Sequence, residues 1–220
     1  MKNNKIVTID NFKKETGIHF TEKHNGKMSG MISLSTSCLG NKFCQAYQKD
    51  KGKVCSKCFA AAQMKMYKNM NTCFQRNADV LTTRILDKDE WPVLNVLYAR
   101  LESFGDLQNE TQLINYFNLC KRNPNTRFAL WTKNMFIVDN VLKSGYKKPN
   151  NLNIVVSSHY LNKVVDVEQY DWVDRVFTVY DKDFIKENDV EINCGALSCM
   201  NCLKCYKKSK KHFYINEKLK

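Results

Sequence analysis

Between residues 96 and 193, short runs rich in β-branched and aromatic residues alternate with runs of helical periodicity, and few folds accommodate that order. VLYARLES (96–103) reads as a strand. NETQLINYFNLCKRN (109–123) reads as a helix with Asn109 and Gln112 in capping-box spacing, ended by the turn-forming NPN. RFALWT (127–132) is a strand, NMFIVDNVLKSG (134–145) a helix closed by Gly145, and LNIVVSS (152–158) a strand. VFTVY (176–180), a short helix from Asp181 and VEIN (190–193) complete the series. Strands separated by helices imply right-handed βαβ crossovers. The expected fold is therefore α/β, with a parallel sheet or a partial (β/α) barrel. MISLSTS (31–37), with Ile32 and Leu34 alternating with polar neighbours, supplies one more strand at the front. FAAAQMKMYKNMNTCFQRNADVLTTRIL reads as one long helix over 59–86, with Tyr67, Met70, Phe74, Ala78, Leu81 and Ile85 on a single stripe.

Ten cysteines interrupt this frame. MKNNKIVTID has no apolar run behind its lysines, and no stretch of the chain is apolar for long enough to span a bilayer, so a cytoplasmic protein is expected. In that reducing compartment, clustered cysteines point to metal ligands rather than disulfides. Cys194, Cys199, Cys202 and Cys205 form C-x4-C-x2-C-x2-C, and Cys38, Cys44, Cys55 and Cys58 form C-x5-C-x10-C-x2-C. Zinc sites usually separate two knuckles by a dozen or more residues, whereas successive x2 spacings resemble iron–sulfur ligand runs. The C-terminal group thus favours an iron–sulfur cluster of the 4Fe-4S kind, with zinc as the alternative. The looser first group is compatible with zinc, with a second cluster, or with a site shared between the groups. Cys120, on an apolar helical stripe, and Cys73, beside Met66 and Met70, are expected to be core residues.

Functional groups of a parallel sheet gather at the C-terminal ends of its strands. Both cysteine groups fall there, together with Glu102, Asp106 and Lys133 as candidate catalytic groups and Ser157 and His159 as candidate cofactor-binding groups. For Asp106, Asn134 and Asp181 taken singly, a helix N-cap is the preferred reading, and Glu102 and Lys133 could pair with each other.

The chain has 220 residues, 43% apolar and 26% charged, in the range of one domain over 1–206 followed by a basic tail over 207–220. Its formal charge is +13, which two four-thiolate metal sites would lower to roughly +9. KCYKKSKKHFYINEKLK carries seven lysines, one glutamate and interleaved Tyr206, Phe213 and Tyr214, a composition suited to nucleic acid and equally to a solvated tail.

The order SCLG, CFA, RLESFGDL, LWTKN, NIVVSS and CxxCxxC resembles the gene product 88 family of phage and mobile-element proteins over about residues 30–206. Leu39, Phe59 and Phe104 depart from the family's pattern. The layout is also similar to the radical SAM partial barrel, although the C-x3-C-x2-C triplet of that group is absent. The expectation is an iron–sulfur protein with a candidate active site at the strand ends; the alternative is a nucleic-acid-binding or host-interaction protein, such as an anti-defence factor, with structural metals.

Overall fold

A computed structural model describes residues 6–209 and 212–219. The elements in chain order are α1 (Ile9–Thr16), β1 (Ile32–Leu34), α2 (Lys42–Lys49), α3 (Phe59–Met66), α4 (Lys68–Leu81), β2 (Tyr98–Leu101), α5 (Glu110–Arg122), β3 (Arg127–Thr132), α6 (Met135–Lys143), β4 (Leu152–Ser157), β5 (Arg175–Tyr180), α7 (Lys182–Asn188), α8 (Cys199–Cys202) and β6 (Phe213–Lys218). All six strands are parallel, in the spatial order β1-β2-β3-β4-β5-β6. Consecutive order is that of a barrel arc rather than of a doubly wound sheet. Among the described residues, no helix is long and apolar enough to cross a membrane.

Side chains of a strand alternate between faces, and here each face has its own occupant. Ile32, Leu34, Ala99, Leu101, Phe128, Leu130, Ile154, Val156 and Val176 enter the main core with Leu113 and Phe117 of α5 and Ile137, Val138 and Val141 of α6. The alternate positions Ala129, Trp131, Val155 and Phe177 pack instead with Met31, Cys199, Leu203, Cys205 and Tyr206. The C-terminal cysteine segment therefore lies across the face of the sheet that the helices leave free.

Asn109 caps α5 through the Gln112 N–H at 3.0 Å, and Asp181 caps α7 through the Phe184 N–H at 2.8 Å, both as their spacing requires. Asn134 stands at the start of α6 but makes no side-chain cap; the Thr132 hydroxyl accepts its N–H instead.

Three expectations need correction. The single helix over 59–86 is two helices, broken at Tyr67 (φ −109°, ψ 84°). α3 packs on a small cluster around Cys38 and Met64, whereas the far end of α4 reaches the main core through Leu81, so the chain bends between them. VEIN (190–193) is not a strand. The N–H groups of Asn193 and Cys194 both go to the carbonyl of Asn216, one residue on β6. The place beside β5 belongs to FYINEK, which pairs from Arg175↔Phe213 to Tyr180↔Lys218. Much of the segment expected to be a basic tail is thus the sixth strand; Lys210, Lys211 and Lys220 lie outside the described residues.

Candidate metal centre

The first cysteine group is built by the chain that leaves β1. Ser35, Thr36, Ser37 and Cys38 are all buried as the strand runs into the turn. Asn41 then caps α2 by accepting the N–H groups of Phe43 and Cys44, and its amide donates to the Asp106 carbonyl at 2.9 Å, which fixes Cys44 in the first helical turn. Cys58 is the N-cap of α3, its sulfur accepting the Ala61 N–H at 3.4 Å. A thiol at a helix N-terminus favours its anion. The neighbouring Cys38 thiol, together with the Ala60 and Ala61 N–H groups, brings the Cys58 thiol down to about 6. Cys38 is correspondingly pushed up, first by the Cys58 thiolate it faces and then by burial. Burial raises Cys44 and Cys55, and the Lys133 ammonium works against that rise at Cys55.

The second group is held by the interior of the sheet. Asn153 of β4 donates to the carbonyls of Cys205 and Lys207 at 3.0 and 3.1 Å, and Arg175 of β5 donates to the Lys204 carbonyl at 2.8 Å. Lys204 in turn reaches the Asn193 carbonyl at 2.8 Å, so the segment between Cys194 and Cys205 is clasped at both ends. Tyr206 closes the bottom against Tyr98, ring to ring at 5.3 Å. Burial raises Cys194 and Cys199 and pushes Cys205 up to about 12, against the opposing pull of Lys27 on Cys194, of Arg100 and Lys27 on Cys199, and of Arg100 on Cys205.

Cys38, Cys44, Cys55, Cys58, Cys194, Cys199, Cys202 and Cys205 all line one cavity of about 420 Å³. The cysteines that raise each thiol belong to its own group of four, while Asp106 and Glu102 add to the rise at Cys44 and Glu217 to that at Cys194. Cys120 is buried in the main core, as its stripe predicts, whereas Cys73 is only partly buried, at the edge of the cluster around Cys38 and Met64, short of the core position expected for it. Among the described residues, no three His, Cys, Asp or Glu side chains stand in a geometry that could hold a metal ion as they are.

The other expected site residues divide. Glu102, Asp106, Lys133 and Ser157 line the same cavity as the cysteines. Glu102 has the left-handed φ of 57° and is fully buried. Its carboxylate accepts from Tyr116, from Gln112 at 2.6 Å, and from the Thr36 N–H and hydroxyl at 3.0–3.1 Å. Burial raises it to about 7, against the pull of those donors. It does not pair with Lys133. Asp106 is no helix cap: it accepts the Thr132 hydroxyl at 2.5 Å, the Leu107 N–H at 2.8 Å and the Lys133 N–H at 2.9 Å, tying the end of β2 to the end of β3. His159 is away from the cavity lining, its ring 4.8 Å from Tyr47 and 6.3 Å from Phe43, and burial brings it down to about 4.

Arg100 was not singled out by sequence, although a cation in mid-strand of a parallel sheet is a signal. It lines the cavity, its guanidinium lies 3.7 Å over the Trp131 ring, and among the described residues its Nε has no hydrogen-bond partner.

A consecutive six-stranded parallel sheet with two cysteine quartets lining one cavity defines a thiol-rich α/β protein. The profile of the Gene product 88 family matches residues 2–215, and the chain belongs to that family. No curated protein and no solved structure matches it.

Proposed function

We propose that the chain is an iron–sulfur protein, with one cluster held by Cys194, Cys199, Cys202 and Cys205 and a second by Cys38, Cys44, Cys55 and Cys58. One observation carries the reading: of ten cysteines, the eight in the two spaced groups line a single cavity, while the two with core-like patterns do not. A four-thiolate site carries about two net negative charges with its metal. Cations are arranged to meet that charge, Lys133 beside the first quartet and Lys27 and Arg100 beside the second. Dense x2 spacing supports a cluster over a single zinc ion, because iron corners spread the four sulfurs whereas zinc gathers them about one centre. Binding would draw the thiols of each quartet together.

A bound cluster supplies one-electron chemistry at a potential set by its charge, hydrogen bonds and exposure. Of the expected catalytic groups, Glu102 and Asp106 are engaged by protein donors and act as positioning residues for the loops that carry the cysteines. Lys133 is the one whose charged end is available to a molecule in the cavity.

Protein purified without oxygen tests this reading. Iron with acid-labile sulfide and broad visible absorption is expected. Stoichiometric zinc without iron, or no metal at all, overturns it.

A further inference from the structure

Residues 51–78 contain five lysines and one arginine and no carboxylate. The segment includes α3 and most of α4, and Lys51, Lys57, Lys65, Lys68 and Arg76 are all exposed. On the same stretch, three large apolar side chains face solvent: Phe59 is 66% exposed, Met66 68% and Tyr67 54%. Phe59 and Met66 are seven residues apart, two helical turns, and so share one side of α3. The Phe59 ring is not loose. It rests 5.9 Å from Phe104, which rests 5.5 Å from the buried Phe74. A ring supported from beneath and open above is a stacking platform.

We infer that this face binds single-stranded nucleic acid, with lysines on the phosphates and Phe59 and Tyr67 on the bases. The absence of carboxylates over the whole stretch selects a polyanion. Exposed rings select unpaired bases, whose flat faces are available only outside a duplex. Because Phe59 also lines the cavity, a strand on this face runs along the cavity's mouth. The placement replaces the C-terminal tail as the nucleic-acid element, since β6 occupies much of that tail. No cysteine takes part, so the inference is independent of the metal reading.

Fluorescence anisotropy with a labelled oligothymidylate and a duplex of equal length provides the test. The single strand should bind more tightly than the duplex and weaken steeply with salt. Phe59→Ala and Tyr67→Ala should each lower its affinity roughly tenfold. Lys65→Gln with Lys68→Gln should flatten the logarithmic salt slope by about 1.4. All four side chains are exposed at the surface, so melting temperature should hold; Tyr67 does not line the cavity, which keeps its variant informative if Phe59→Ala disturbs the fold. Equal binding of duplex and single strand, ring variants without effect, or equal binding of polyglutamate or anionic vesicles would each overturn the inference. Strand binding that persists in metal-free protein with these same responses upholds it.

Discussion

Gly105 leaves open the space that the Glu102 carboxylate occupies. A Cβ at position 105 would lie 2.4 Å from Glu102 Oε2, 2.5 Å from Thr36 Oγ1 and 2.6 Å from the Thr36 carbonyl. The glycine of RLESFGDL is therefore a packing requirement where β2 leaves the sheet beside the approach to Cys38. Gly105→Ala should destabilise the fold by about 1–3 kcal/mol through overpacking against backbone that has no room to retreat. Urea unfolding measures this, and a variant as stable as the parent would contradict it.

Glu102 makes stability depend on pH in an unusual direction for a carboxylate. Its folded value is raised from 4.5 to about 7, mainly by burial, so between those values the folded chain holds a proton that the unfolded chain has lost. Stability is full below the unfolded value and falls as pH rises through the folded one, by about 3 kcal/mol across the window. Glu102→Gln should flatten that dependence while leaving other slopes in place. Unfolding curves taken at intervals from pH 4 to 8 decide it; an unchanged slope in the variant is the adverse result.

The cysteines should separate cleanly by role. Cys202→Ser or Cys205→Ser should lower metal content and melting temperature together, because metal bound only by the folded state adds its binding free energy to folding. Cys120→Ala should cost only about 1–2 kcal/mol of packing and keep its metal. Metal analysis beside thermal melts tests the pair, and a Cys202 variant with a full metal complement and unchanged melting would count against the assignment.

Removing residues 207–220 should unfold the protein rather than trim it. That deletion takes away β6 and its ladder to β5, along with Glu217, whose carboxylate meets Lys27 at 3.2 Å. Lys27 precedes β1, so the pair joins the two ends of the sheet. Circular dichroism of the truncated chain should show lost structure, and a native-like cooperative melt would refute this.

What could be read from sequence followed how local each signal is. RFALWT matches β3 residue for residue, and Asn109 and Asp181 cap the helices they precede, because periodicity and capping are short-range effects. The association of the cysteine groups was also legible, since chain order and strand direction bring them together. The reason was only half right: Cys194 arrives through a loop bound to Asn216, not at the end of a strand. FYINEK escaped notice because its lysine-rich flanks mask a short alternation of Phe213, Ile215 and Glu217, and only pairing with β5 reveals it. The role of Glu102 was hidden for a related reason. Thr36, Gln112 and Tyr116, which hold it, come from two other parts of the chain.

The cations beside the quartets should govern thiol reactivity group by group in metal-free protein. Cys38 and two helix N–H groups favour the Cys58 anion, so Cys58 should alkylate before Cys38, Cys44 and Cys55. Lys133 adds to that stabilisation at Cys58 and opposes burial at Cys55. Lys133→Met should therefore slow alkylation of these two several-fold at pH 7 and leave Cys199 and Cys205 unaffected. Arg100, which opposes the rise at Cys199 and Cys205, predicts the mirror result: Arg100→Met should slow the second group and spare the first. Iodoacetamide labelling followed over time by peptide mass spectrometry resolves each cysteine. Equal slowing of both groups by either variant would mean that the quartets share one electrostatic environment, contrary to the separation on which a two-site reading depends.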